Sequence, residues 1–549
     1  MKNRCYAYLF ILLLATSVLS YYKLGEPTLE NDEALYARIV DNIHSSKDWF
    51  SLKCYGSYYT HKPPLYFWLT AATYNLFNDE ETRIRFWSAG FGIGCALLTF
   101  VLGCMMFSPE AGLFAGFILS MNRSFLFLHG ARHGGMDSGV IFCTLLALLV
   151  FWNLPKLQRP LLAWIAIGVC IGIMCMLKPL IGILLFIPLT IHWEIYYKSE
   201  SWKSRLWGPA IALFISILFF APWHLYAWKT FGSNYMESAF GINVVKRVTV
   251  GLDAEHMHGP FYYWKNITKS SLPFSLFIPA LAGSILLSRI GSQKRSFGLV
   301  SIVTLFWIGA FSLSVSKLPW YMYPVFPLIS LSIAALLILI QQQLRVRLRK
   351  PVSESRLPPW VIVIGCCIAL GNLIYLASSK IPRFVTRQQY LPLALYQYAG
   401  PEKIPSSHFV LLNYPGKHRN HTITYYSDRF TNAVRLRSVM QLNDLLEQEG
   451  PVVIVIPKDT PEKQIEDIEK RLHSSEVLRF EGYWGVAFAR GIRDYIPEWL
   501  HKKARVITMP RQNSLGPQSY SSVIMDLSFP VHENQFWNDP GFSKIAHLH

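Results

Sequence analysis

The chain has 549 residues, of which 52% are hydrophobic, 15% aromatic and only 16% charged, whereas a soluble protein carries about 25% charged residues. The apolar residues are bunched into segments of about 20, which excludes a simple cytosolic enzyme, a disordered chain and a disulfide-stapled secreted module. The formal net charge is +18, but many Lys and Arg residues fall in short loops between apolar segments and no nucleic-acid motif is present. Membrane topology, rather than nucleic-acid binding, therefore explains the charge.

The first 380 residues contain about eleven apolar segments that are long enough to be membrane spans. The first span follows Lys2 and Arg4 and resembles a signal peptide, which we expect to be retained as an anchor. The nine cysteines lie mostly in or beside these segments, so they predict neither a disulfide framework nor a zinc site of the CxxC type. The predicted spans are roughly 5–22, 86–107, 111–129, 137–153, 160–177, 180–197, 207–226, 272–288, 298–315, 321–341 and 360–378.

The basic residues follow the positive-inside rule if the N-terminus lies in the cytoplasm. The loops placed inside carry clusters of Lys and Arg, and the short outer turns carry only single basic residues, which are Arg132, Lys178 and Lys317. Two long loops, about 23–85 and 227–271, then face outward together with the C-terminal region.

Residues 381–549 read as a small extracytoplasmic α/β domain with an irregular C-terminal tail, joined to a membrane domain of residues 1–380. Runs of β-branched and aromatic residues predict its strands, and a charged amphipathic pattern predicts a helix over Pro461–His473. The chain shows no convincing internal repeat, which weakens a transporter interpretation. The predicted strands are His408–Tyr414, Thr422–Tyr426, Val452–Ile456 and Val477–Phe480.

The first outer loop opens with a predicted helix that has two acidic residues in its first turn. Asn31 is a suitable N-cap, and Asp32 and Glu33 suit the positive end of the helix dipole. Asp32 shares a face with the apolar residues Leu35 and Tyr36, where a carboxylate costs desolvation energy unless it has a partner. Asp32 is therefore either a capping acid on a surface helix or a functional carboxylate.

The same loop ends in His61-Lys62-Pro63-Pro64, followed by an aromatic segment. The two prolines predict an extended approach to an interfacial helix, because Trp and Tyr favour the boundary between water and lipid. Lys62 would then lie at the depth of lipid phosphates. The alternative is a snorkelling lysine.

Three outer turns carry further charged residues. Asp137 lies at the mouth between two spans, where an ionisable residue indicates function, although an Arg132–Asp137 ion pair would be purely structural. Lys178 and Lys317 each stand alone in a turn, as functional cations or as interfacial anchors.

The second outer loop contains Glu255-His256-Met257-His258. One or both histidines, together with His61, could bind zinc or a similar metal. Because an isolated His-x-His is a weak signal, hydrogen bonding from histidine to a phosphate is the alternative.

In their order along the chain, these motifs resemble the lipid-carrier-dependent glycosyltransferases of the GT-C class over about residues 20–340. The likeness is greatest to the 4-amino-4-deoxy-L-arabinose transferases of lipid A, and more distant to the dolichyl-phosphate-mannose protein mannosyltransferases. His61 stands where the family commonly has Glu, and Lys178-Pro179 where it has Lys-Gly. The matching motifs are Asp32 to Ala37, Lys62 to Leu65, Arg132 with Asp137, His256 to Tyr263, and Ser316 to Tyr321.

The resemblance implies an all-α polytopic membrane protein of the GT-C type, with interfacial helices and the C-terminal α/β domain. It implies transfer of a sugar from a polyprenyl phosphate to lipid A, a glycan or a protein at the outer side of a bacterial inner membrane. The alternatives are hexosyl or mannosyl transfer to protein or glycan and, in another class, a transporter with an outer domain.

The same resemblance assigns roles to individual residues. Asp32 and Asp137 are expected to be catalytic. For the cofactor two alternatives stay open, a divalent metal such as Zn, Mg or Mn at His61 and His256, or none. The residues expected to bind the donor phosphate are Lys62, Arg132, Lys178, His256, His258 and Lys317. Those expected to position substrate are Glu33, Tyr36, Tyr59 and Tyr262.

Overall fold

The computed structural model describes residues 2–25, 29–197, 202–251, 256–271, 273–290 and 292–347, and from there on short segments that include the strands and helix given below. The chain divides into two compact units, one of Met1–Glu26, Tyr36–Lys380 and Asp539–His549 and the other of Pro27–Leu35 and Ile381–Asn538.

The first unit is helical, apart from a short hairpin of β1 (Lys53–Cys54) and β2 (Ser57–Tyr58). Turns of 3₁₀-helix connect several helices, and a π-helical stretch, Met236–Lys246, leads directly into α11. The helices are α1 (Lys2–Tyr21), α2 (Asn31–Ser46), α3 (Leu65–Ala72), α4 (Glu80–Met106), α5 (Pro109–Ser120), α6 (Arg123–Phe127), α7 (Asp137–Asn153), α8 (Pro160–Leu177), α9 (Phe186–Tyr196), α10 (Trp202–Tyr235), α11 (Arg247–Thr249), α12 (Tyr262–Lys269), α13 (Phe277–Leu287), α14 (Lys294–Ser312) and α15 (Phe326–Arg347). The residues of α2 up to Leu35 belong to the second unit.

Seven helical segments of the described chain are long and apolar enough to cross a membrane, and three shorter apolar helices accompany them. All ten coincide with predicted spans, while the eleventh, 360–378, lies outside the described residues except for 371 and 375. The short ones were predicted as full spans at 111–129, 180–197 and 272–288. Asn122 caps a new helix in the first of these, and 3₁₀ turns interrupt the other two. A 12-residue helix such as α5 rises only about 18 Å, which is less than the bilayer core.

Small residues allow the central helices to pack closely. A Cβ added at Gly103 of α4 would lie 2.5 Å from the Cα of Gly112 in α5, so these backbones touch, as small residues permit between membrane helices. Farther along the chain, Gly232 has φ +58° and ψ −134° and breaks α10. Because an L side chain is strained in that conformation, Gly232 is the point at which the chain leaves the long helix for the π-helical stretch before Arg247.

The second unit contains a six-stranded mixed sheet with strand order β4-β3-β5-β7-β6-β8. The central strand β5 is buried along Val452–Ile456, as expected for a strand covered on both faces. Its helix α16 (Glu462–Arg471) buries Ile465 and Ile468. The strands are β3 (His408–Leu412), β4 (Ala433–Leu436), β5 (Val452–Pro457), β6 (Val477–Gly482), β7 (Gly485–Arg490) and β8 (Arg505–Ile507).

Three of the four predicted strands of this unit are confirmed as β3, β5 and β6, and the predicted helix is confirmed as α16. Of the strand predicted at Thr422–Tyr426, only Tyr425 is described, and it is helical. That prediction is wrong at Tyr425, because a short aromatic run does not distinguish a strand from a buried helix.

Candidate active site

The helix α2 begins with the two predicted acidic residues in its first turn. Glu33 is buried, and its Oε2 accepts a hydrogen bond of 2.8 Å from the main-chain N–H of Glu30. The N–H of Ala34 donates back to the carbonyl of Glu30 at 2.8 Å. This is the acidic half of a capping box, so Glu30 rather than Asn31 occupies the N-cap position. Asp32 lies half-buried beside it in the same turn.

The Lys62 segment is held by its prolines and by α3. Pro63 and Pro64 are buried, Lys62 is half-buried, and α3 begins directly afterwards at Leu65. The predicted aromatic helix after the prolines is thereby confirmed. The short distance along the chain between Lys62 and a fixed helix limits where its ammonium group can reach.

His61 lies next to two cations. Its carbonyl accepts a 3.1 Å hydrogen bond from Asn243 Nδ2 of the π-helical stretch. Partial burial of the imidazole lowers the pKa of His61, and the positive charges of Lys62 and Arg247 lower it further. Arg247 and the Lys62 segment therefore belong to one electrostatic environment, although they are far apart in sequence.

Tyr321 connects Arg247 to the Lys178 turn. Arg247 Nη1 donates to the Tyr321 hydroxyl at 3.1 Å, and Lys178 Nζ lies 5.8 Å from the centroid of the Tyr321 ring. Lys178 also forms an ion pair with Asp137 Oδ1, and the two side chains are only 14% and 11% exposed. Three segments thus meet around one aromatic ring: the start of α7, the end of α8 and the stretch that follows α10.

Lys317 holds the histidine loop against the turn before α15. Its Nζ donates to the carbonyls of His258, at 2.9 Å, and of Ser314. Its main-chain N–H donates to the carbonyl of His256 at 2.8 Å, and an antiparallel bridge pairs Met257 with Ser316. Burial lowers the pKa of Lys317, and two of its three ammonium protons are used by main-chain carbonyls.

The predicted positioning tyrosines are all packed against aromatic or histidine rings. Tyr262 stacks on His258 with centroids 4.0 Å apart and an interplanar angle of 4°. Burial raises the pKa of Tyr262, so its hydroxyl stays protonated at neutral pH. Tyr36 and Tyr59 each contact Phe67 of α3 edge to face, at 5.4 Å and 6.0 Å.

The guanidinium of Arg132 bonds to the main chain at the C-terminal end of α1. It donates to the carbonyls of Leu19 and Ser20, at 2.8 Å and 3.1 Å, and of Lys23 at 3.2 Å. The structural alternative of an Arg132–Asp137 ion pair is wrong, because Asp137 pairs with Lys178. Phosphate binding by Arg132 stays a prediction.

The predicted metal ligands do not form a complete set among the described residues. Zinc sites use three or four protein ligands, and the described part of the chain contains no group of three or more His, Cys, Asp or Glu side chains that could hold a metal. The pair of His61 and His256 alone does not fit such a site.

Several known proteins are similar to this chain in sequence. A family model described as dolichyl-phosphate-mannose-protein mannosyltransferase matches residues 61–226. A relative from Pseudomonas fluorescens, named undecaprenyl phosphate-alpha-4-amino-4-deoxy-L-arabinose arabinosyl transferase 1, is 26% identical over 376 residues, which are 67% of this chain and 65% of the relative. The chain spans about half to two thirds of the length of the curated arabinosyl transferases that it matches.

Two solved structures share the architecture. The crystal structure of ArnT from Cupriavidus metallidurans bound to undecaprenyl phosphate superposes with a TM-score of 0.64 at 16% identity and covers 91% of this chain and 100% of that one. The archaeal oligosaccharyltransferase AglB from Archaeoglobus fulgidus, in complex with an inhibitory peptide and a dolichol-phosphate, gives 0.52 at 14% identity and covers 92% and 76%. The chain has the GT-C fold. Its resemblance to GT-C lipid-carrier glycosyltransferases, predicted from the motifs, is confirmed.

Arg247 is a residue of the site that the motifs did not predict. It follows the π-helical stretch and belongs to none of the quoted motifs, so only the fold brings it to Tyr321 and His61. The available signal was a basic pair, Lys246-Arg247, in a loop predicted to face outward, where the positive-inside rule expects few basic residues.

Proposed function

We propose that this chain transfers a sugar from a polyprenyl phosphate, such as undecaprenyl phosphate, to lipid A or another cell-envelope acceptor on the outer side of the inner membrane. The observation that carries the proposal is that the site contains more cationic side chains than carboxylates. Within the described residues, neither Arg247 nor Lys317 has a carboxylate within ion-pair distance. A half-buried cation without a carboxylate is suited to an incoming anion.

The cations meet the main requirement of the reaction. When the glycosidic bond of the donor breaks, negative charge grows on the leaving phosphate, and fixed positive groups stabilise that charge in the transition state. Arg247 presents a fork of N–H donors that matches phosphate oxygens. Lys62 lies next to His61 in the same electrostatic environment, and Lys317 contributes a fixed charge from the adjoining turn.

The carboxylates have separate roles in this proposal. Asp32 accepts the proton of an acceptor hydroxyl, or orients the sugar if the acceptor is already a phosphate that needs no base. Asp137 is held by Lys178 beside Tyr321, which suits a group that positions substrate. Inversion at the anomeric carbon is expected from the resemblance.

The relatives support a polyprenyl-phosphate donor, because one is named as an undecaprenyl phosphate aminoarabinose transferase and one solved structure holds undecaprenyl phosphate. A pentose such as 4-amino-4-deoxy-L-arabinose and lipid A are therefore the first donor sugar and acceptor to test. The matched mannosyltransferase model supports the second candidate, hexosyl or mannosyl transfer to a protein or glycan.

The test incubates the purified full chain with labelled undecaprenyl-phosphate sugars and with lipid A, glycan or peptide acceptors. We expect a new glycoside from the wild type, and a loss of at least about a hundredfold in Asp32→Asn and Lys62→Ala. Matched controls are Asp41→Asn, on the same helix, and Lys53→Ala, in the same loop; both should retain transfer. Normal transfer by the two site variants would refute the proposed site, and uptake into sealed vesicles without any new glycoside would support the transporter. An EDTA arm tests the metal at His61 and His256.

A further inference from the structure

A buried hydrogen-bond network joins the segments that carry Lys62 and Asp137. Its centre is Ser88 of α4, which is fully buried together with Tyr66. Ser88 Oγ donates to the carbonyl of Gly135 at 2.8 Å and accepts from the N–H of Gly135 at 3.0 Å. The same Oγ lies 2.9 Å from the Tyr66 hydroxyl.

Each end of the network lies close in sequence to a site residue. Tyr66 is in the first turn of α3, four residues after Lys62 and beyond two prolines. Its position therefore fixes the end of the Lys62 segment that joins α3. Gly135 lies two residues before Asp137, the first residue of α7. Both segments are thus fixed to the same hydroxyl of α4, independently of the long loops that separate them in sequence.

The proton count of the network shows how Tyr66 and Gly135 depend on each other. Tyr66 and Ser88 have one hydroxyl proton each, which makes two protons. Three contacts each need a proton: Tyr66 to Ser88, Ser88 to the carbonyl of Gly135, and Tyr66 to the carbonyl of Ile84. The Ile84 carbonyl can only accept and lies 2.5 Å from the Tyr66 hydroxyl, so the Tyr66 proton goes to Ile84. The single Ser88 proton is then shared between the Tyr66 oxygen and the Gly135 carbonyl, and both segments depend on the one Ser88 hydroxyl.

We infer that Ser88 is a positioning residue that sets the geometry of the Lys62 segment relative to the Asp137–Lys178 pair. The inference rests on the proposed transfer function. Ser88 does not reach substrate in this account; it acts through Gly135 and Tyr66. Because a misplacement of about 1 Å can cost roughly a hundredfold in rate, loss of the shared hydroxyl is expected to lower turnover without removing any phosphate ligand.

The kinetic test compares Ser88→Ala and Tyr66→Phe with Ser330→Ala, a control serine that is also fully buried but bonds only to its own helix, at the carbonyl of Phe326. We expect Ser88→Ala to lower kcat about ten- to a hundredfold, with KM for the undecaprenyl-phosphate sugar within about twofold, and Tyr66→Phe to lower kcat about three- to tenfold. Ser330→Ala should keep the wild-type kcat. Equal kcat in Ser88→Ala and Ser330→Ala, or a change in KM alone, would overturn the inference.

A second measurement needs no activity and separates the two proposals. Amide hydrogen exchange of a peptide covering 130–136 should be several-fold slower in Tyr66→Phe, because the Ser88 proton then goes to the Gly135 carbonyl alone, and unchanged in Ser330→Ala. Unchanged exchange in Tyr66→Phe would overturn the coupling even if Ser88→Ala were too unstable to purify. If the wild type transfers no sugar, the proposed function fails, and the exchange result still decides whether Ser88 couples the two segments.

Discussion

Arg247 provides the most direct test of the anion site. Replacing it with glutamine removes a half-buried guanidinium that donates a hydrogen bond to the neutral hydroxyl of Tyr321. A hydrogen bond between a charged group and its partner contributes about 1.5–3 kcal/mol, and every 1.4 kcal/mol is about a factor of ten in affinity. We therefore expect Arg247→Gln to bind undecaprenyl phosphate about 10- to 150-fold more weakly than the wild type.

The neighbouring Lys246 supplies a matched control. Lys246→Gln makes the same change in net charge one residue away, but Lys246 is half-exposed and already paired with Glu237, so we expect at most a twofold change, as for a surface ion pair. Arg247→Lys should lie between the two, because it keeps the charge and loses the planar fork. The assay is a titration of the purified protein with undecaprenyl phosphate in detergent at fixed ionic strength. Equal affinities of Arg247→Gln and Lys246→Gln would show that only net charge matters and would refute the assignment.

Three further variants test the surrounding geometry. Asp137→Asn and Lys178→Gln should each lower the thermal unfolding midpoint, because removing one partner of a buried pair leaves an uncompensated charge that costs about 3–5 kcal/mol. The double variant should recover part of that loss, and additive losses would contradict the pairing. His61 has a lowered pKa and is therefore neutral at pH 7, so a bound anion should favour its protonation. The affinity for undecaprenyl phosphate should then rise between pH 7 and 5 by more in the wild type than in His61→Gln, a comparison that cancels the titration of the phosphate itself, whose pKa is about 6. Parallel curves for the two proteins would show that His61 does not contact the anion. Tyr323→Phe should destabilise the fold by about 1–3 kcal/mol in a denaturant titration, since its hydroxyl bonds to the buried carbonyls of Ser124 and Leu128; an unchanged midpoint would show that water replaces the hydroxyl.

The order of the spans and the acidic first turn of α2 could be predicted from the sequence because they depend on local signals, although the N-cap is Glu30 rather than the predicted Asn31. Runs of about 20 apolar residues identify membrane helices by the thickness of the bilayer alone, and the acidic first turn of α2 follows from the helix dipole. The lengths of the spans were less predictable. The 3₁₀ turn at Ile181–Leu185 is as apolar as the helix that follows it, so hydropathy does not mark the interruption.

The contacts of the site could not be predicted, because they join residues that are distant in sequence. The partner of Asp137 is Lys178, 41 residues on, rather than Arg132, five residues before it. A short sequence separation favoured Arg132, but its guanidinium is used by the carbonyls at the end of α1. Arg247 reaches the site only because Gly232 breaks α10 and the chain then forms a π-helical stretch, and no hydrophobic period signals that change.

The contacts of Lys246 and Lys317 distinguish a phosphate site from a simple belt of interfacial lysines. A snorkelling lysine keeps its ammonium in water, and Lys246 fits that description, with a half-exposed side chain and an exposed acidic partner. Lys317 does the opposite, because it is buried and its Nζ bonds to two main-chain carbonyls, although burial disfavours its charge. Burying a cation costs free energy that two neutral carbonyls repay only in part. An anion bound nearby would supply the rest, and Arg247, with no carboxylate partner in the described chain, has the same requirement beside Tyr321. The stability of the wild type should therefore increase on binding undecaprenyl phosphate by more than that of Arg247→Gln.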